Sequence, residues 1–143
     1  MKQFPSLQSI FITGVDGGKT RALLTNALWQ TVRFPKQISV IVSEEMSERN
    51  IVETLLDINQ DSLMKIDNER IVFAKLENVL DVVKSLMHHE QVHLYVDAVS
   101  VTKLAWTEDS SDRSKKVRFT VGDLNDAALL VNGLSVAVSL DQL

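Results

Sequence analysis

Residues 9–20 read Ser-Ile-Phe-Ile-Thr-Gly-Val-Asp-Gly-Gly-Lys-Thr, an apolar run that breaks into glycines and closes on a lysine and a threonine. Ser9–Thr13 has the β-branched and aromatic content of a buried strand. Thr13–Thr20 follows the phosphate-loop pattern G-x-x-x-x-G-K-[ST], with Thr13 where the first glycine belongs. The chemistry suits that spacing. Gly14, Gly17 and Gly18, with Val15 and Asp16 between them, allow a backbone that turns amide hydrogens inward around a phosphate. Lys19 is expected to neutralise the outer phosphates, and the Thr20 hydroxyl to hold Mg²⁺. From Thr20 to Val32 the spacing predicts a helix, with Leu24, Leu28 and Val32 at four-residue steps and Leu23 and Ala27 beside them. Its N-terminal dipole would face the same anion, so the expected nucleotide-binding stretch is 14–21, ending at Arg21.

The rest of the chain repeats the alternation of strand and helix. Phe34-Pro35 stops the first helix, because the residue before proline disfavours helical geometry. Ile38–Ser43 reads as a second strand, and Ser47 as the cap of a helix carrying Ile51, Val52, Leu55 and Leu56 on one face. Arg70–Lys75 is a third strand. Asn78–His89 is a third helix, burying Val79, Val82, Val83, Leu86 and Met87. Val92–Asp97 is a fourth strand, and Thr107–Lys116 reads as a polar, mobile loop. Asp123–Val131 is a last helix with Gly133 as its left-handed cap, followed by the strand Leu134–Leu140. The expected architecture is one α/β domain over 1–143, three-layered, around a mostly parallel sheet of about five strands.

Composition narrows the function classes. The 143 residues are 45% hydrophobic and 24% charged, enough for a core without disulfides or structural metal. With no cysteine, thiol catalysis and zinc-thiolate sites are excluded. No apolar run reaches a membrane span of roughly 18 residues, and Met1–Pro5 lacks the apolar core of a secretion signal. A soluble, cytoplasmic protein is expected. The net charge of −4 argues against a general basic coat for nucleic acid, but the charge is uneven. Residues 1–43 carry five bases against one acid, and residues 44–90 eleven acids against five bases. A basic cluster stands at Arg113, Lys115, Lys116 and Arg118.

Thr-Gly-Val-Asp-Gly-Gly-Lys-Thr (13–20) resembles the phosphate loop of the T-even phage replicative helicases, which also lack the first glycine and have a Gly-Val-Asn/Asp centre. Ile-Ser-Val-Ile-Val-Ser-Glu-Glu-Met-Ser (38–47) is similar to the strand and Glu-Met segment of DnaB-type, RecA-fold hexameric helicases. The likeness continues through Leu-Leu-Asp-Ile at 55–58. It implies a RecA-like P-loop NTPase that takes ATP and Mg²⁺, with hydrolysis coupled to single-stranded DNA or to subunit assembly in phage-type replication. Carried over by position, Glu45 matches the catalytic glutamate that polarises the attacking water. Glu44 beside it leaves a one-residue ambiguity that Met46 resolves toward Glu45. Without the resemblance, Glu44, Glu45 and Glu48 read as a solvated acidic helix start.

Asp97 has two readings. An aspartate ending an apolar strand fits a second acidic motif that orients Mg²⁺. In the other register, Val101-Thr102-Lys103-Leu104-Ala105-Trp106 resembles the segment after the family's sensor strand, Ser100 replaces the sensor glutamine, and Asp97 is no metal ligand. The basic cluster 113–118 reads either as a DNA-tracking loop or as a solvated turn offset by Glu108, Asp109 and Asp112. His88 and His89, adjacent on a helix and facing different ways, read as a solvated helix end rather than a zinc site, with His93 nearby in sequence. Trp29 reads as core or subunit interface, and Trp106 as packing or base stacking. The leading expectation is a P-loop ATPase that self-associates or joins a replicative helicase, completed by a neighbour's arginine. The alternatives are a nucleotide-binding module that regulates a full-length helicase, and a small-molecule kinase.

Overall fold

The computed structural model describes residues 9–13, 18–43, 46–60, 68–100, 104–108, 115–120 and 122–139. The elements in chain order are β1 (Ser9–Thr13), α1 (Lys19–Arg33), β2 (Gln37–Ser43), α2 (Glu48–Asn59), a 3₁₀ turn (Asn68–Arg70), β3 (Ile71–Ala74), α3 (Val79–Ser85), β4 (Gln91–Ser100), β5 (Leu104–Glu108), β6 (Lys115–Phe119), α4 (Gly122–Leu130) and β7 (Gly133–Ser139). The main sheet runs β1-β7-β4-β2-β3. Every neighbouring pair in it is parallel.

Side-chain alternation along the central strands explains the layering. Ile38, Val40, Val42, Val92, Leu94, Val96, Leu134, Val136 and Val138 point to one face, where Val79 and Val83 of α3 and Leu124, Ala127 and Ala128 of α4 close an aliphatic core. On the other face Ile41, Tyr95 and Ala137 meet Leu23, Leu24, Ala27 and Leu28 of α1 and Ile51 and Leu55 of α2. Both faces of the sheet are thus covered, as parallel strands require. Within this second core, however, the sheet also presents Gln37, Ser39, Ser43, His93, Asp97 and Ser135, all buried.

The local signals that begin and end the helices act as their chemistry dictates. Ser47 caps α2 by accepting the Asn50 amide at 3.2 Å. Phe34 leaves helical geometry before Pro35, with φ −114° and ψ 93°. Arg70 donates from Nη1 to the carbonyls of Thr31 (2.6 Å), Phe34 (3.1 Å) and Gln37 (3.3 Å), placing its charge at the negative end of α1.

Several expectations are corrected. Thr107–Lys116 is not one loop, because strands β5 and β6 occupy both its ends and pair antiparallel as a separate ribbon. Gly133 is not a left-handed cap; it opens β7 opposite His93. Asn132 closes that turn, accepting the Val92 amide through its side chain at 2.9 Å and donating its own amide to the Val92 carbonyl at 2.9 Å. Helix α3 ends at Ser85, so His88 and His89 lie in the turn beyond it. Their rings are 4.1 Å apart rather than facing different ways. The apolar stripes are narrower than the spacing suggests. Val32, Val52, Leu56 and Met87 are exposed, and Trp29, 55% exposed, is not core. Thr31 takes the buried place expected of Val32 because it bonds Ser39 across the interface.

Candidate functional site

The carboxyl ends of parallel strands are where such sheets bind ligands, in a crevice beside strands whose following connections leave on opposite faces. β2 and β4 are such a pair: α2 follows β2 on one face, and α4 lies beyond β4 on the other. Their last paired residues are Ser43 and Asp97. At Asp97 the pairing of β4 with β7 also slips, from Val96–Val136 to Val99–Val138, so β4 carries one extra residue there. Bulges of this kind re-aim a side chain at a strand end.

Helix α1 starts against this end. Its N-cap, Gly18, has φ +74° and ψ 16°, a left-handed conformation in which an L side chain costs roughly 1–2 kcal/mol. The Gly18 carbonyl accepts the Ala22 amide at 3.1 Å. That entry angle sets Thr20 over β4, and its Oγ1 donates to Asp97 Oδ1 at 2.7 Å. Asp97 is 2% exposed. Its other oxygen, Oδ2, accepts from Ser43 Oγ at 2.9 Å. Ser43 Oγ in turn accepts the Met46 amide at 3.0 Å. Sequence reasoning missed Ser43. Its signal was a hydroxyl ending an apolar strand, although β4 itself runs on past Asp97 to Ser100 rather than ending at Asp97 as expected.

A carboxylate this buried is costly unless its charge is balanced. Among the described residues its hydrogen-bond partners are the two hydroxyls of Thr20 and Ser43, with no cation. Carboxylate and hydroxyl oxygens are the hard donors that Mg²⁺ prefers, so these residues fit that ion.

The remaining expected residues fall as follows. Gly14, Val15, Asp16, Gly17, Glu44, Glu45 and Arg113 lie outside the described residues. Lys19 is the first residue of α1, with its side chain outside the described part. Arg21 pairs with Asp57 of α2 at 2.8 Å, both half exposed. Lys115, Lys116 and Arg118 lie on β6, in register with Glu108, Thr107 and Ala105 of β5. The fold does not bring His93 to this site. It is buried on β4, stacked on Tyr95 with ring centroids 4.2 Å apart, and its Nε2 bonds Ser135 Oγ at 2.8 Å.

His93 belongs to a polar layer between α1 and the sheet. Tyr95 donates its hydroxyl to Gln30 Oε1 of α1 and accepts from Gln37 Nε2 at 3.0 Å. Gln37 Nε2 also reaches Ser39 Oγ at 3.1 Å, and Ser39 Oγ meets Thr31 Oγ1 of α1 at 2.6 Å. Burial lowers the His93 pKa to about 4 and raises that of Tyr95, so both stay neutral at pH 7. Beside the site, a cavity of about 140 Å³ is lined by Ile41, Ser43, Met46, Ile51, Phe73 and Lys75, among others.

The chain is similar in structure to a protein described as a DnaB-like replicative helicase, solved in a study of its interactions with primase. The TM-score is 0.55 at 12% identity, over 96% of this chain and 39% of that one. The likeness shows a distant resemblance in fold, an α/β architecture shared with a replicative helicase. The chain spans 39% of the helicase chain's length. No family model matches the chain, and no curated protein does. Among the described residues no helix is long and apolar enough to cross a membrane.

Proposed function

We propose that this chain is a P-loop ATPase module of the replicative-helicase type, binding ATP with Mg²⁺ along residues 14–21. The observation that carries the reading is the 2.7 Å contact of Thr20 with buried Asp97. P-loop enzymes hold their metal with the loop's Ser or Thr and a strand aspartate, and this contact joins Thr20 to Asp97, the last residue of β4 that pairs with β2. It favours the second-acidic-motif register for Asp97 over the sensor register. The helicase-like fold adds support of a coarser kind.

In this reading the backbone amides of 14–18 and the start of α1 cradle the phosphates, and Lys19 balances their outer charge. Thr20 and Asp97 would hold Mg²⁺, which would supply neutralisation of the phosphate charge. Glu45 orients water for attack and takes its proton. The basic strand β6, with Arg113 just before it, contacts single-stranded DNA, and self-association or docking on a replicative helicase supplies the arginine that completes the site.

Phosphate release from ATP, measured with and without single-stranded DNA, tests the assignment. Turnover that DNA stimulates and that Lys19→Ala and Glu45→Gln both abolish is the expected result. Binding without turnover would make the chain a nucleotide-binding regulator of a helicase, and turnover requiring a metabolite would make it a kinase.

A further inference from the structure

Ser43 is 3% exposed and has one proton to give. Its oxygen already accepts the Met46 amide at 3.0 Å, so that proton is directed to Asp97 Oδ2 at 2.9 Å. The two hydrogen bonds differ in what they fix. The amide sets the direction of the hydroxyl, and the hydroxyl sets the rotation of the carboxylate. With Oδ2 held, Oδ1 is left facing Thr20 Oγ1 at 2.7 Å. The backbone reinforces the arrangement, since Ser43 and Asp97 are register partners on adjacent parallel strands. Polarisation along the chain from amide to hydroxyl to carboxylate strengthens each link.

We infer that Ser43 is a positioning residue for the metal site, holding the Asp97 carboxylate so that Oδ1 and the Thr20 hydroxyl form one face for Mg²⁺. The inference rests on the reading of Thr20 and Asp97 given above. Ser43 touches neither nucleotide nor metal; it acts through Asp97, as hydrogen-bond partners of ligating carboxylates do. A hydroxyl is required, not a particular size. Ser43 lines the cavity of about 140 Å³ beside the site.

The test is the Mg²⁺ concentration that half-saturates the ATP-dependent rise in melting temperature, followed on the full chain. Ser43→Ala should raise that midpoint by about 10- to 100-fold. Ser43→Thr should return it to near the wild-type value, while Ser43→Cys, a poorer donor and acceptor, should fall between. Should the alanine variant not fold, the threonine and cysteine variants still order the midpoints. Asp97→Asn, which removes the charge itself, should abolish the Mg²⁺ dependence. A Ser43→Ala or Ser43→Cys midpoint equal to wild type, with the Asp97→Asn effect intact, overturns the positioning role and leaves the ATPase reading standing. No Mg²⁺-dependent stabilisation in the wild type overturns both.

Discussion

At the scale of single residues, His93 makes the clearest quantitative statement. Burial holds its folded pKa near 4, whereas in the unfolded chain it titrates near 6.5. Between those values the unfolded state binds the proton and the folded state does not. Stability therefore falls as pH drops through 6.5 toward 4 and levels off below. From pH 7 to pH 5 the loss from this residue alone is about 2 kcal/mol. Urea unfolding at the two pH values should show that loss in the wild type and a much smaller one in His93→Gln. An equal pH effect in both would place the proton elsewhere. Asp97 is the second such residue: its two hydroxyl partners come from α1 and β2, elements 77 and 54 residues away in sequence. No local pattern announces a pairing of that kind, and for this reason the sequence leaves two registers open for Asp97.

Helix α1 shows what was legible at the scale of elements and what was not. Its existence followed from the spacing of Leu24 and Leu28, and its end from Phe34-Pro35. Its buried face did not follow, because hydrophobicity alone cannot assign Thr31 to an interface and Val32 to solvent. The determinant is Ser39 on β2, whose buried hydroxyl pairs with that of Thr31. The same layer alternates with aliphatic residues along β2, β4 and β7, a pattern that reads as a half-exposed sheet yet lies under a helix. Tyr95 is its centre, bonded to Gln30 of α1 and Gln37 of β2. Tyr95→Phe should destabilise by about 1–3 kcal/mol in equilibrium unfolding, through polar groups left without the bridging hydroxyl. A change below about 0.5 kcal/mol would show that the layer tolerates the gap. The β5–β6 ribbon was missed for a different reason. Its charges read as loop chemistry, although Leu104–Glu108 and Lys115–Phe119 both contain apolar and aromatic residues at alternate positions. Phe119, buried against the α3–α4 core, anchors the end of it.

At the scale of the whole molecule, the candidate site and the basic strand belong to different sheets. The Thr20–Asp97–Ser43 constellation sits where the pairing of β2 with β4 ends, and the basic strand β6 belongs to a second, two-stranded sheet. If β6 binds single-stranded DNA, replacing Lys115 and Lys116 by alanine should weaken binding and flatten the slope of log K against log salt by about 0.7 for each phosphate no longer neutralised. A slope that stays the same would remove β6 from the DNA interface. The likeness to a helicase chain of which this one spans 39% concerns fold alone. The most direct measurement is calorimetric titration of ATP in the presence and absence of Mg²⁺. The expected result is Mg²⁺-dependent binding by the wild type that is abolished in Lys19→Ala and loses its Mg²⁺ dependence in Asp97→Asn. Unchanged affinity in Lys19→Ala would contradict it.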